Sequence, residues 1–212
     1  MKVYDYFRSS AAYRLRIALN LKGLTAERHF IHLRRKEQSA PGYLAVNPMG
    51  LLPALEVDGR TLTQSLAIIE YLDETHPTPA LLPRDPLDRA WVRSLALAVA
   101  CDIHPVNNLR ILNHLRDALG QDEEARNGWY AHWVAEGFRG LETMLAGDDR
   151  VGVFCFGDEP TLADICLVPQ VFNAARMSCP LDDYPTIRRI AAAAGALPAF
   201  QAAEPGRQPD AE

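Results

Sequence analysis

Pro77, Pro79, Pro83 and Pro86 all fall within the short stretch HPTPALLPRDP, which constrains this chain more than any other segment. Each proline fixes its own φ and lacks a backbone donor, so no helix runs through the stretch. Ahead of it, strand-like and helix-like patterns alternate; beyond it, nearly every segment repeats with a helical period. The expectation is two domains: residues 1–80 of alternating β and α structure, and residues 87–212 as an all-helical bundle.

Within the first part, KVYDYF and ERHFIHL read as strands flanking a helix from Ser9 to about Lys22. Tyr13, Ile17 and Leu21 recur every fourth residue and predict an apolar stripe facing a sheet, with Arg14 and Arg16 turned away from it. After a loop containing Gln38, ALEVDGRTLTQ reads as two short strands joined by Asp58-Gly59, a pair that tolerates the positive φ of a hairpin turn. A further helix starts at Ser65, whose hydroxyl is placed to cap it. The predicted order is β-α-β-α-β-β-α.

Beyond the prolines, LDRAWVRSLALAVACDIHPVNNLRILNHLRDAL, NGWYAHWVAEGFRGLETML and TLADICLVPQVFNAAR all carry helical patterns. In the last, Thr161 and Asp164 have capping-box spacing, which is a structural role. The final EPGRQPDAE lacks an apolar face and predicts a mobile tail.

The net charge of -5 gives no overall basic footprint, which argues against a nucleic-acid or anionic-membrane partner. MKVYDYFRSS lacks the charged start and apolar core of a secretory signal, so a cytoplasmic chain is expected. Cys101, Cys155, Cys166 and Cys179 lie far apart with no CxxC pair, indicating neither a metal site nor a disulfide framework, and are expected to be buried thiols.

Three stretches carry chemistry. In FRSSAAYRLRIAL, Ser9 and Ser10 lie where a strand gives way to a helix, so free amides and the helix dipole favour an anion. A thiolate suits that place, because such an environment lowers a thiol from its free pKa of about 8.5; taken alone, the serines read more readily as simple caps. In NPMGLLPALEVDG, a cis bond before Pro53 would turn the amide and carbonyl of Leu52 outward, free to pair with an extended peptide; an ordinary edge proline is the alternative. Gln64-Ser65 opens a helix whose N-terminus suits a carboxylate. Together the three fit one ligand with a thiol, a peptide backbone and an amino-acid head group: glutathione.

These segments, with LTQSLAIIEYLDETHP, DIHPVNNLRIL and TLADICLVPQVFNA, resemble the zeta class of glutathione transferases over residues 1–200. The resemblance implies a thioredoxin-like first domain followed by an all-helical second domain. It implies that Ser9 activates the thiol, that Ser10 to Arg14, Ala11 among them, form the rest of the same motif, and that Leu52 and Pro53 clamp the cysteinyl unit. Gln64 and Ser65 would hold the γ-glutamyl end, and Gln38 the glycyl end. His104, Asn108, Leu109 and Arg110 would line the cleft from the helical domain, and Asp102 would help hold the α-amino group. Ala11 stands where the class commonly has Cys, and Tyr13 where it has Trp, so the only thiol for this motif is that of glutathione.

The resemblance further implies glutathione-dependent cis-trans isomerisation of a small maleyl dicarboxylate, with maleylpyruvate ahead of maleylacetoacetate. Arg8, Arg110 and Arg176 are the candidates for holding its carboxylates, since a guanidinium grips a carboxylate through two parallel hydrogen bonds. A glutathione-consuming transferase or dehalogenase is the alternative chemistry. A second copy of the chain is the expected partner.

Overall fold

The computed structural model describes residues 1–212. The chain divides into two compact units, one made of Met1–Leu81 with Gly195–Glu212, the other of Leu82–Ala194. The return of the last eighteen residues, 195–212, to the first unit is a feature absent from the division into 1–80 and 87–212.

The first unit is built on four strands, β1 (Lys2–Asp5), β2 (Glu27–Phe30), β3 (Ala54–Val57) and β4 (Arg60–Thr63), in the order β2-β1-β3-β4. β1 runs parallel to β2, with Val3 opposite Arg28, and antiparallel to β3, with Val3 opposite Leu55. A parallel pair needs a crossover, supplied by α1 (Ser10–Leu21). The β3–β4 pair needs only a tight turn, and Asp58 and Gly59 provide it at φ 49° and 73°. The short α2 (Pro41–Leu44) precedes β3, and α3 (Ser65–Thr75) follows β4 and packs on α1. Ile68, Ile69 and Leu72 of α3 are fully buried, each stabilising the unit by about 1.5–3 kcal/mol relative to exposure.

Two expectations fail here for one reason. Arg14 and Arg16 are buried, at 2% and 5% exposure, because α1 is covered on more than its apolar stripe. Arg14 reaches Ser65 at the start of α3, while the C-terminal segment covers Arg16: α9 (Pro198–Ala203) packs against α1, and a 3₁₀ turn follows at Pro205–Arg207. The last residues are therefore no mobile tail. Gln208 is buried and donates to the carbonyls of Ala202 and Glu204, while Asp210 accepts from the Phe7 amide at 2.9 Å. Lys22, buried at the end of α1, ties the proline-rich stretch to the same unit through Asp73 and the carbonyls of His76 and Pro79.

The second unit contains α4 (Pro86–Leu97), α5 (Leu109–Asp117), α6 (Glu123–Ala146), α7 (Leu162–Arg176) and α8 (Pro185–Gly195), whose last residue belongs to the first unit. The long helix expected across LDRAW to RDAL is broken. α4 runs into a wider π-type turn at Ala98–Ile103, Pro105 follows, and Asn108 caps a new helix by accepting from the Arg110 amide at 3.1 Å. Arg110 therefore sits on α5 rather than on the first helix of this unit. Asp164 reaches back to the amide and hydroxyl of Thr161 at 2.8 and 2.9 Å, the structural role expected of it. Cys155, Cys166 and Cys179 are buried, whereas Cys101 is exposed. No helix is long and apolar enough to cross a membrane.

Candidate active site

Ser9 is the N-cap of α1, at φ −70° and ψ 115°, and its Oγ accepts from the Ala12 amide at 3.2 Å. Its own amide donates to the Tyr6 carbonyl at 2.9 Å, closing the turn that leads from β1 into the helix. The hydroxyl is half-buried, so its proton can point away from the helix while a lone pair completes the cap. Ser10 and Ala11 are buried in the first turn, and Arg8 is exposed, its guanidinium 5.1 Å from the centre of the Phe7 ring.

The Leu52-Pro53 bond is cis, the first of the two readings open from the sequence, and both residues are buried. The Leu52 amide and carbonyl take no backbone partner, while Pro53 leads into β3. The preceding loop is anchored at the Leu51 carbonyl, which accepts from Tyr43 Oη at 2.6 Å and Asn47 Nδ2 at 2.7 Å. Leu52 and Phe7 belong to one buried cluster with Tyr4, Tyr43 and Ala54, which brings the Leu52 loop and the Ser9 turn onto shared packing.

Gln64 holds the left-handed region at φ 70° where α3 begins. Ser65 is buried, but its hydroxyl does not cap α3 as expected. It accepts instead from Arg14 Nη1 at 3.4 Å, which links the start of α3 to α1 only five residues beyond Ser9. Gln38 lies in a 3₁₀ turn at Glu37–Ser39, its Oε1 buried without a hydrogen-bond partner. Gly50 passes so close that a Cβ there would stand 3.2 Å from the Gln38 carbonyl, which joins this turn to the Leu52 loop.

These groups fit a γ-glutamyl tripeptide. A free strand-like residue at Leu52, a buried hydroxyl at a helix start and a capping hydroxyl at Ser9 are all gathered in the first unit. The second unit carries the remaining candidates. Asp102 is exposed on the π-type turn, His104 is half-buried just after it, Asn108 is occupied in capping α5, and Leu109 and Arg110 are exposed beside it. Arg176 ends α7, also exposed; its charge acts on the phenol of Tyr130, whose burial nonetheless pushes it up to about 12.

Sequence reasoning turned Arg14 and Arg16 away from the apolar stripe and missed that both are buried. The signal was present: two arginines inside an otherwise apolar helix point in nearly opposite directions at this spacing, so a helix covered on both sides buries both.

A four-stranded thioredoxin-like unit with this arrangement, joined to a helical unit, defines a glutathione transferase. The glutathione S-transferase N-terminal domain family matches residues 8–75 and its C-terminal domain family matches residues 123–207, and the chain belongs to this family, in its zeta class. Among curated relatives, maleylpyruvate isomerase of Ralstonia sp is 50% identical over 210 residues, covering 99% of both chains. Maleylacetoacetate isomerase of Pseudomonas aeruginosa is 51% identical over 213 residues, covering 99% of this chain and 98% of the relative. Among solved structures, a holo maleylpyruvate isomerase, described as a bacterial zeta-class transferase, superposes with a TM-score of 0.98 at 50% identity over the whole of both chains. Maleylacetoacetate isomerase of Methylobacterium extorquens AM1, solved with malonate and glutathione, superposes at 0.97 with 42% identity, again over both whole chains.

Proposed function

We propose that this chain is a glutathione-dependent isomerase that converts maleylpyruvate to fumarylpyruvate, a step of gentisate-type aromatic degradation, working in the cytoplasm as a homodimer. The observation that carries the reading is the full-length identity to maleylpyruvate isomerase, together with the unpaired Leu52 backbone and the Ser9 hydroxyl of the first unit, which suit glutathione. Bound there, glutathione supplies a thiolate that adds reversibly to the cis double bond and leaves again unchanged.

Each residue then has a definite task. Ser9 donates its hydroxyl proton toward the sulfur while its oxygen keeps the Ala12 amide, so the anion is stabilised without loss of the cap. The Leu52 amide and carbonyl pair with the cysteinyl backbone, and Pro53 and Ala11 shape the wall beside it. Gln64 and Ser65, at the start of α3, hold the γ-glutamyl carboxylate, with Arg14 behind Ser65 adding positive charge. Gln38 holds the glycyl end. His104, Asn108, Leu109 and Asp102 of the second unit are assigned to the remaining cofactor contacts, Asp102 to the α-amino group.

Arg8, Arg110 and Arg176 hold the substrate carboxylates and offset the charge that builds on the carbonyl oxygen beside the double bond. This is electrostatic positioning, and it acts most where charge develops during reaction. Rotation needs no protein base at carbon: once the bond order drops, the substrate turns about a single bond, and the arginines hold one end while the other swings.

Maleylacetoacetate is the second reading, favoured by the equal identity to isomerases of that name. Parallel assays of maleylpyruvate and maleylacetoacetate, each with and without glutathione, test both. Glutathione-dependent turnover with higher kcat/KM on maleylpyruvate supports the first reading; higher kcat/KM on maleylacetoacetate replaces it with the second.

A further inference from the structure

The turn that carries Ser9 is held by side chains from distant parts of the chain. The Tyr6 amide donates to Asp5 Oδ1 at 2.7 Å. The Tyr6 carbonyl, already bonded to the Ser9 amide, also accepts from Arg16 Nη1 at 3.3 Å, and the Phe7 carbonyl accepts from Arg16 Nη2 at 3.0 Å. The Phe7 amide donates to Asp210 Oδ2 at 2.9 Å, across 203 positions of sequence. Every backbone polar group of Tyr6 and Phe7 is thus engaged, two of the four by Arg16 and one by Asp210.

Arg16 is itself fixed at both ends. Its Nε donates to the Ala203 carbonyl at 2.9 Å, and its Nη1 pairs with Asp5 at 2.8 Å. Asp5 also pairs with Arg28, which donates to Gln208 Oε1 at 2.8 Å. The second carboxylate oxygen of Asp210 is buried without a hydrogen-bond partner, and the residue borders a cavity of about 320 Å³ shared with Tyr6, His32, Arg35 and Glu212. Asp210 is half-buried, and removing its carboxylate leaves the buried Phe7 without its amide acceptor, so the turn must then shift or admit water.

We propose that Asp210, with Arg16, is a positioning residue for the reaction: the C-terminal segment fixes the Tyr6–Ser9 turn and so sets where the Ser9 hydroxyl meets the glutathione sulfur. The proposal rests on the reading of Ser9 as the residue that stabilises the thiolate. Asp210 acts only through the Phe7 amide. A hydroxyl displaced by a fraction of an ångström still caps α1 but gives a weaker bond to the sulfur, so the ionised fraction of the thiol falls while binding of the tripeptide stays.

The test uses the full chain with Asp210→Ala and Asp210→Asn, the second keeping an acceptor oxygen for Phe7. The ultraviolet thiolate band of bound glutathione is read at neutral pH, with isomerase kcat and KM and the glutathione Kd. Asp210→Ala is expected to lower both the band and kcat about three- to tenfold, with glutathione Kd within about twofold, and Asp210→Asn to restore most of each. An unchanged band in folded Asp210→Ala overturns the proposal alone, as does equal loss in both variants that merely tracks the unfolded fraction. No thiolate band in the wild type overturns the functional reading and the proposal with it.

Discussion

Arg16 Nη1 lies 2.8 Å from Asp5 Oδ1 with both side chains buried, at 5% and 0% exposure, so the strand and the helix of the first crossover are locked by a pair that water barely reaches. Removing one partner of such a pair strands the other charge. Asp5→Asn is expected to destabilise the protein by about 3–5 kcal/mol in urea unfolding. Arg28→Ala, which removes the partly exposed second partner of Asp5, is expected to cost about 1 kcal/mol or less. Equal costs would contradict this account of the network.

How much of this was legible in the sequence follows from where the information lies. The hairpin at Asp58-Gly59, the bend at Pro53 and the Ser9 cap are local, and each depends on residues adjacent in the chain. The burial of Arg14 and Arg16 left a signal in the helix, but their distant partners, and the role of Asp210, were not legible, because those contacts span 51 to 203 positions. A periodic stripe shows which face of a helix is apolar. It does not show that a returning segment covers the other face, and that cover is what buried Arg16. The break between α4 and α5 was missed, because the apolar period continues through it even though Pro105 stands there.

Stability should fall at alkaline pH. Burial pushes the phenols of Tyr13 and Tyr130 up to about 12, whereas an unfolded tyrosine ionises near pH 10. Their contribution is complete below pH 10 and is lost as pH rises toward 12, where the unfolded chain has already released protons that the folded one retains. Unfolding midpoints measured across this window should drop, and Tyr130→Phe should flatten the drop. A wild-type midpoint that stays level would contradict the assignment.

Arg110 and Arg176 are exposed, so replacing either should leave stability within about 0.5 kcal/mol. Arg110→Ala and Arg176→Ala are each expected to lower kcat/KM for maleylpyruvate about tenfold or more, with glutathione affinity nearly unchanged for Arg176→Ala. Steady-state kinetics and glutathione titration check this. Full activity in both variants would remove these residues from the substrate site.

Ser9→Ala should lose about 1 kcal/mol of stability with the cap and about 100-fold in kcat with the hydroxyl. Ser9→Thr retains an oxygen at the same place and is expected to recover the stability and part of the rate. Rapid-quench or continuous assays of both variants separate the two losses. Loss of stability without loss of rate would reduce Ser9 to a cap.

The central claim is that glutathione is used and returned. The most direct measurement counts free thiol and fumarylpyruvate together over many turnovers of maleylpyruvate with limiting glutathione. The account predicts product in large excess over glutathione, free thiol constant to the end, and no turnover when glutathione is omitted. One thiol lost for each substrate consumed, or turnover without glutathione, would contradict it.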